Sequence, residues 1–318
     1  MQGERTFQGS SLCVVGNINR DVKTAPLRAG EHLFRDGETS VSAVTETIGG
    51  GGANSAFAAS ALGAHVAFLG KVGADPLADR LEQTLTKCNI SAHLARDKTR
   101  PSGTSIALAF DNGQRHFISC LPANQALAFA DLDLRAMNGH EHLLRADIWF
   151  SEAMLFDGNK ELFRAAHQLD LSVSIDLNWD PQWGRADAHE IRARKKAVRD
   201  VLPWVSLAHG NVRELNEFAE ATELEIALQR IIGWGAEAVI VHLGEKGAGY
   251  YSQGSLVIEP PSPVKSQVNT TGTGDVLSVC MMLLHRRTEM DVAERLRLAN
   301  TIVAQFMEGK RQLIPPLE

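Results

Sequence analysis

The chain alternates short apolar runs with longer stretches whose apolar residues recur at helical spacing. The apolar runs lie at residues 12–16, 65–70, 147–151, 171–178, 204–210 and 238–244. Runs of this length, bounded by glycine or polar residues, are typical of strands that are buried on both faces of a parallel sheet. The stretches between them, such as "DPLADRLEQTL", "NKELFRAAHQL" and "NVRELNEFAEAT", predict amphipathic helices. This alternation predicts an α/β fold, in which helices cover both faces of a doubly wound, mostly parallel central sheet.

Two stretches depart from this alternation. Residues from about 20 to 48 and from about 93 to 121 have a pattern closer to period two, with the turn signals "RDGE" and "DNGQ". The second stretch predicts a hairpin that turns at Asp111, Asn112 and Gly113. We expect both stretches to pair into a small β-sheet inserted in a single domain that spans residues 1–318. Such a sheet suits a lid over a ligand site, because lids exclude water from a reaction, and the alternative is a plain edge hairpin.

The segment "VNTTGTGDVLSV", residues 268–279, joins a glycine loop to an apolar helix. Gly272 and Gly274 permit close approaches that a side chain would forbid. The predicted helix start leaves backbone N–H groups unpaired and carries a partial positive charge, so it can bind an anion, phosphate above all. Asp275 at this place is either a helix N-cap, for which Asp is a preferred residue, or a carboxylate with a chemical role.

Another glycine cluster opens a second predicted helix in "TIGGGGANSAFAASALG", residues 47–63. Its glycines allow a ligand or another backbone to approach closely, and Asn54 can donate and accept hydrogen bonds at the helix start. The cluster fits neither the dinucleotide fingerprint G-x-G-x-x-G nor the phosphate loop G-x-x-x-x-G-K-[ST]. A tight turn without a ligand is the alternative.

Polar pairs follow two of the predicted strands. Asn19 and Asp21 come after the first strand, where the carboxyl ends of parallel strands form a ligand crevice, and a carboxylate beside an amide suits a polyol. The alternative is a turn rich in Asx residues. Asn211 and Glu214, three residues apart, share one face of a predicted helix. They suit either a hydrated Mg²⁺ or a capping box.

Composition excludes several classes of function. The 318 residues are 44% hydrophobic, which is enough for a full core, and the formal net charge of -6 argues against a nucleic-acid-binding surface. No apolar stretch is long enough to cross a bilayer, and the polar first residues lack a secretory signal. The 4 cysteines are widely spaced and form no metal-binding pattern. We therefore expect reduced thiols, a cytoplasmic protein, and no nucleic-acid or membrane partner.

The order and spacing of these segments resemble the PfkB carbohydrate kinases, the ribokinase-like family. "TTGTGD" looks like the carboxyl-terminal signature of that family, and "GGGGAN" with "KVGAD" looks like its amino-terminal one. "NVRE" is similar to its N-x-x-E motif, and "VHLGEKGAGYY" to its nucleotide-side strand and turn. The resemblance implies a ribokinase-like sheet with a β lid that often forms a homodimer clasp. It also implies transfer of the γ-phosphoryl group of ATP to a hydroxyl of a small sugar, of the ribose, fructose or keto-deoxy sugar acid type.

The resemblance also implies roles for particular residues. Asp275 would be the catalytic base, beside an anion hole formed by Gly272, Thr273 and Gly274. Asn211 and Glu214 would hold Mg²⁺ through water. The sugar would contact Asn19, Asp21, Gly50, Gly51 and Asn54, and the nucleotide would contact His242, Gly244, Gly247 and Asn300.

Several positions depart from the family pattern. Asn269 replaces an Asp associated with a monovalent cation, which makes activation by potassium doubtful. Thr273 replaces Ala, His242 replaces Thr, and Gly51 stands where ribokinases often have Lys.

The segment "SIDLNWDPQW" departs in a way that bears on the substrate. Asp180 lies where related branches carry Arg, which weakens the case for a sugar acid or sugar phosphate, because Arg is the usual partner of such groups. Four other arginines could still reach the pocket and pair with an anionic substrate: Arg20, Arg35, Arg100 and Arg115. We interpret them as solvated lid residues.

Two other functions stay open from the sequence. A nucleoside kinase of the adenosine kinase type has the same scaffold and needs an aromatic or apolar lid for its base. A sugar-binding regulator that has lost phosphoryl transfer is a third possibility, although the intact "GTGD" and "NVRE" motifs argue against it.

Overall fold

A computed structural model describes residues 7–112, 114–266, 271–287, 289–313, 315 and 317. Gly113 of the predicted hairpin turn and Asn269 of the signature lie outside the described residues. The strands are β1 (Ser11–Val15), β2 (Asn19–Thr24), β3 (Val44–Gly49), β4 (His65–Gly73), β5 (Ile90–Asp97), β6 (Thr104–Ala109), β7 (Arg115–Cys120), β8 (His142–Arg145), β9 (Ser172–Asp176), β10 (Leu207–Asn211), β11 (Ala238–His242), β12 (Ala248–Ser252) and β13 (Ser255–Glu259). The α-helices are α1 (Gly51–Ala61), α2 (Pro76–Lys87), α3 (Pro122–Gln125), α4 (Asn159–Gln168), α5 (Ala188–Arg199), α6 (Val212–Ala219), α7 (Leu224–Gly233), α8 (Thr273–Leu283) and α9 (Val292–Met307).

The central sheet has the strand order β13-β12-β11-β10-β9-β8-β1-β4-β5. The seven strands from β11 to β5 in this spatial order pair in parallel. Strand β12 runs antiparallel to both of its neighbours, β11 and β13. The predicted α/β class and the mostly parallel sheet are therefore confirmed. One predicted strand is wrong. Residues 147–151 form a turn, and the strand of that region is β8, which ends at Arg145.

Helices cover both faces of this sheet and enclose two apolar layers. One layer packs the sheet against α1, α2, α8 and α9, with Phe57, Leu81, Val279 and Phe306 among its buried members. The other packs it against α4 to α7 and is rich in aromatic side chains, including Trp149. Burial on both faces explains why the strands read as continuous apolar runs.

The small second sheet has the strand order β3-β2-β6-β7. Strands β6 and β7 form the predicted hairpin, with Ala109 paired to Arg115 beside the turn. The second lid segment begins later than the predicted residue 93, because residues 93–97 belong to β5 at the edge of the central sheet. Within the described residues, no helix has the length and apolarity that a membrane span requires.

Candidate active site

Asp275 lies in the first turn of α8, where the glycine loop meets the core helix. The N-cap of this helix is Gly272, whose φ of 84° lies in the left-handed region that favours glycine. Asp275 is the third residue of the helix, and its Oδ2 accepts a hydrogen bond of 3.0 Å from Asn54 Nδ2. The N-cap alternative for Asp275 is therefore wrong. Two predicted site residues that are 221 positions apart in the chain meet at this contact.

The surroundings of Asp275 favour a proton acceptor. Burial raises the pKa of its carboxyl to about 7, the Asn54 hydrogen bond opposes this, and the charges of Asp147 and Glu214 raise it further. A general base is most effective when its pKa lies near the working pH. Asp275 lies in the first turn of α8, whose first N–H groups have no partner within the helix. The arrangement can therefore accept a proton beside a place that stabilises negative charge.

The glycine cluster is explained by the close packing of the α1 start against the end of β1. Gly50 has a φ of 101°, and a Cβ there would lie 2.3 Å from the carbonyl oxygen of Asn17. A Cβ on Gly52 would lie 2.8 Å from the Cα of Gly16. These glycines therefore do form a tight turn, as the alternative interpretation held. The turn also brings α1, and Asn54 with it, to Asp275.

Asp147 fixes the start of α1 and was missed by sequence reasoning. Its carboxylate accepts hydrogen bonds from the backbone N–H groups of Asn17 at 2.8 Å, Gly52 at 2.9 Å and Gly51 at 3.1 Å. Its own φ is 54°, an uncommon conformation for a residue with a side chain. Burial raises the pKa of Asp147, and these hydrogen bonds oppose the rise. The sequence held no signal for it, because "DIWFS" read as the start of a strand.

Asp176 at the end of β9 also belongs to the acidic group around Asp275. Burial raises its pKa well above the usual range, and the charges of Asp275 and Glu214 raise it further. The amide nitrogen of Asn178, in the orientation that satisfies both side chains, donates to the two carboxylate oxygens at 2.6 and 2.9 Å. The D-x-N spacing in "SIDLN" was the available signal for this pair.

The predicted magnesium residues form a capping box at the start of α6. Asn211 Oδ1 accepts from the Glu214 N–H at 3.0 Å, and Glu214 Oε2 accepts from the Asn211 N–H at 2.8 Å. Over the described ranges, no three His, Cys, Asp or Glu side chains are close enough to ligate a metal directly. Mg²⁺ commonly uses one or two carboxylates and several waters. The charges of Asp275 and Glu214 raise the pKa of Asp176, and a cation held through water beside these three groups would offset that repulsion.

A cavity of about 510 Å³ opens beside the start of α8. The residues predicted for the nucleotide all line it, together with two of the anion-hole residues: His242, Gly244, Gly247, Asn300, Thr273 and Gly274. A Cβ on Gly274 would lie 3.1 Å from His242 Nδ1, so the imidazole packs directly on the loop. Burial lowers the pKa of His242 to about 4, which keeps the ring neutral at pH 7. Asn300 Nδ2 donates to the carbonyl oxygens of Glu259 and Pro260 and thereby fixes one wall.

The predicted sugar residues Asn19 and Asp21 lie within β2 of the small sheet, not in an Asx turn. Asn19 Nδ2 donates to Asp21 Oδ1 at 2.8 Å, and both side chains are largely buried. The Asp21 carboxylate packs on Gly49 of β3, where a Cβ would lie 2.0 Å from Oδ1. A carboxylate oriented by an amide in this way can accept hydrogen bonds from the hydroxyl groups of a polyol.

Within the part of the chain that the structure describes, one of the four candidate arginines contacts the glycine loop that precedes α8. Arg115 of β7 donates to the Thr271 hydroxyl, four residues before Asp275. The other three pair elsewhere: Arg20 with Glu46, Arg35 with Glu31 and Arg100 with Asp97.

Asp180 has a structural partner that the sequence did not reveal. Arg194 of α5 holds its carboxylate from two nitrogens, with Nε at 2.7 Å from Oδ2, and both side chains are almost fully buried. Asp180 is therefore already neutralised, and its presence says little about the charge of the substrate.

Comparison with known proteins decides the family. A model described as "pfkB family carbohydrate kinase" matches residues 10–317, nearly the whole chain. The chain belongs to this family. The family resemblance that the motifs indicated is therefore confirmed. The pfkB kinases are phosphotransferases with an alcohol group as acceptor.

Individual relatives of this pfkB protein are distant. The ribokinase of Bacillus subtilis (strain 168) is 23% identical over 295 residues, which cover 91% of this chain and 90% of that one. The bifunctional protein HldE of Bradyrhizobium sp. (strain ORS 278) is 28% identical over 83% of this chain, which spans only 54% of its length. A candidate ribokinase II from E. coli, solved with ATP and Mg²⁺, superposes with a TM-score of 0.79 at 19% identity, over 94% of this chain and 93% of that one. These values establish the ribokinase-like fold.

Proposed function

We propose that this pfkB protein is an ATP- and Mg²⁺-dependent kinase that phosphorylates a hydroxyl group of a small sugar. The observation that carries the proposal is the position of Asp275. It lies in the first turn of α8, is held by Asn54, and adjoins the cavity of about 510 Å³ that Thr273 and Gly274 line. Phosphoryl transfer is mostly a matter of positioning and electrostatics, and it needs one well-placed base.

The reaction follows from this geometry. Asp275 accepts the proton of the acceptor hydroxyl, whose oxygen forms a bond to the γ-phosphorus while the bond from that phosphorus to the bridging oxygen breaks and ADP leaves. The N–H groups at the start of α8, at Gly272, Thr273 and Gly274, stabilise the charge on the transferred group. A bound Mg²⁺ supplies charge neutralisation at the phosphate oxygens, and Asn211 and Glu214 would hold it through water.

The identity of the acceptor is tested by measuring ADP release with each of six candidate compounds: ribose, fructose, 2-keto-3-deoxygluconate, fructose 6-phosphate, adenosine and inosine. We expect turnover with a sugar and none with the two nucleosides. Faster turnover of adenosine or inosine would favour the nucleoside kinase instead. Absence of turnover with all six compounds would count against the kinase and for the sugar-binding regulator.

The base is tested with the variant Asp275→Asn. We expect kcat to fall by about 100- to 10,000-fold, the usual contribution of a general base, because the amide cannot accept the proton. Folding should be retained, since an Asn side chain still accepts the hydrogen bond from Asn54. Circular dichroism and thermal unfolding check this second point, and wild-type turnover in the variant would contradict the proposed role.

The proposal includes a homodimer formed through the small sheet. Val44, Ile106 and Ile118 lie on its outward face and are 59%, 41% and 55% exposed. Exposed apolar patches of this kind are typical of interaction surfaces. It also includes the cytoplasm as location, and the support for this is that Cys13, Cys88, Cys120 and Cys280 form no disulfide with one another.

A further inference from the structure

Lys23 of β2 occupies an unusual position. Side chains alternate along a strand, so Asn19, Asp21 and Lys23 lie on the same face of the small sheet. This face is directed at the body of the protein, as shown by the burial of Asn19 and Asp21 and by the contact of Arg115 with Thr271. Lys23 therefore extends the row of predicted sugar-binding residues by one position.

The ammonium group of Lys23 has no partner in direct contact among the described residues, and Asp21 acts on it through its charge alone. Within the described residues it forms no hydrogen bond and no ion pair, although the side chain is half-buried. Burial lowers the pKa of Lys23, the charge of Asp21 opposes this, and the charge of Arg115 lowers it further. A cation that is partly removed from water and lies near a second cation is costly unless an anion accompanies it.

The spacing of the row fits a single ligand. Two residues along a strand are about 6.6 Å apart, so one small molecule can contact Asp21 with a hydroxyl group and Lys23 with its other end. The registers Lys23–Ala107 and Ala107–Phe117 leave only an alanine between Lys23 and β7, the strand that carries Arg115. The positive charge is thus concentrated at one end of the row.

From this arrangement we infer that the acceptor is an anionic sugar whose phosphate or carboxylate group binds Lys23. The inference rests on the proposed kinase function and names its substrate class. It replaces the expectation that Asp180, standing in place of an Arg, disfavours a sugar acid or sugar phosphate. The cation that binds the anion is Lys23 of the lid and not a residue of the segment after Asn178. A neutral sugar would bring no anion to the half-buried Lys23 ammonium.

The test compares acceptors and variants. Wild type, Lys23→Met and Lys23→Arg are assayed with fructose 6-phosphate, 2-keto-3-deoxygluconate and fructose. Arg20→Met is the matched control, because Arg20 lies on the same strand with its side chain on the opposite face, paired with Glu46. The phosphate and carboxylate acceptors distinguish the two anionic groups.

We expect an anionic acceptor to have a higher kcat/KM than fructose. Lys23→Met should raise the KM for that acceptor by about 10- to 100-fold, the usual effect of losing a charged hydrogen bond, with kcat, the KM for ATP and the KM for fructose little changed. Lys23→Arg should restore most of the affinity, and Arg20→Met should behave as wild type.

Three results would overturn the inference while leaving the kinase intact. One is a preference for fructose over both anionic sugars. Another is an equal rise in KM for neutral and anionic acceptors in Lys23→Met, as expected if Lys23 only balances the charge of Asp21. The third is a rise confined to the KM for ATP, which would assign Lys23 to the nucleotide phosphates.

If no compound is phosphorylated, the kinase proposal fails and the inference is judged by binding. Isothermal titration with fructose 6-phosphate and 2-keto-3-deoxygluconate then compares wild type with Lys23→Met. Binding that is lost in the variant supports an anion site at Lys23. Equal binding in both proteins, or binding of neither compound, overturns it.

Discussion

The contact between Asn54 and Asp275 sets the properties of the candidate base. Asn54 donates a hydrogen bond of 3.0 Å to the carboxylate and thereby favours its ionised form. Burial and the neighbouring acidic groups act in the opposite direction and raise the pKa of Asp275 to about 7. Asn54 therefore influences the pKa of Asp275 as well as the orientation of its carboxylate, which extends the sugar-binding role that the family resemblance implies.

This balance predicts how activity depends on pH. A base must be deprotonated to act, so kcat/KM should rise with pH through a midpoint near the pKa of about 7 and then level off, with bound Mg²⁺ lowering the midpoint. Asn54→Ala removes a hydrogen bond that favours the carboxylate, so its midpoint should lie at higher pH than that of wild type. Ser60→Ala, on the same helix but bonded to the Cys88 carbonyl, is the control. An unchanged midpoint in Asn54→Ala would refute the tuning role.

At the scale of elements, periodicity predicted the strands that consist of apolar residues and failed at β8. This strand, "HLLR", begins and ends with buried polar residues that distant side chains satisfy. His142 contacts Ser174 Oγ at 2.6 Å, and Arg145 Nε donates to Asn159 Oδ1 at 2.8 Å. Local pattern cannot reveal such partners. For the same reason the motifs located Asp275 and Asn54 in their own segments but did not predict that the two side chains meet.

Helix α1 depends on a carboxylate from another element. Asp147→Ala removes the acceptor of three N–H groups near the helix start, and it places alanine at a φ of 54°. Unsatisfied buried donors cost about 1–3 kcal/mol each, so we expect the free energy of unfolding to fall by about 3 kcal/mol or more. Asp147→Asn is the matched variant, because Asn tolerates this backbone conformation and keeps one acceptor oxygen.

Urea unfolding of the two Asp147 variants measures this difference. Activity should fall with stability in Asp147→Ala, since a displaced α1 also moves Asn54 away from the base. Stability equal to that of wild type in both variants would show that the carboxylate does not hold the helix.

At the scale of the whole molecule, the small sheet has two faces with different chemistry. The inward face carries Asn19, Asp21 and Lys23 and touches the glycine loop before α8 through the contact of Arg115 with Thr271. The outward face carries apolar side chains in register, with Val22 paired to Ile106 and Ile106 to Ile118. The period-two pattern predicted the presence of this sheet. It could not assign a partner to either face, because alternation is the same whether the second face meets solvent or protein.

The outward face leads to a prediction about assembly. If two copies pack these faces together, wild type should be a dimer, and the double variant Ile106→Lys with Ile118→Lys should be a monomer, because burying two ammonium groups per copy opposes association. Sedimentation velocity over a range of concentrations measures the mass of each. Leu169→Lys is the control, since Leu169 is 41% exposed and follows α4 outside the small sheet. A monomeric wild type at every concentration, or a double variant that remains dimeric, would exclude this face as the interface.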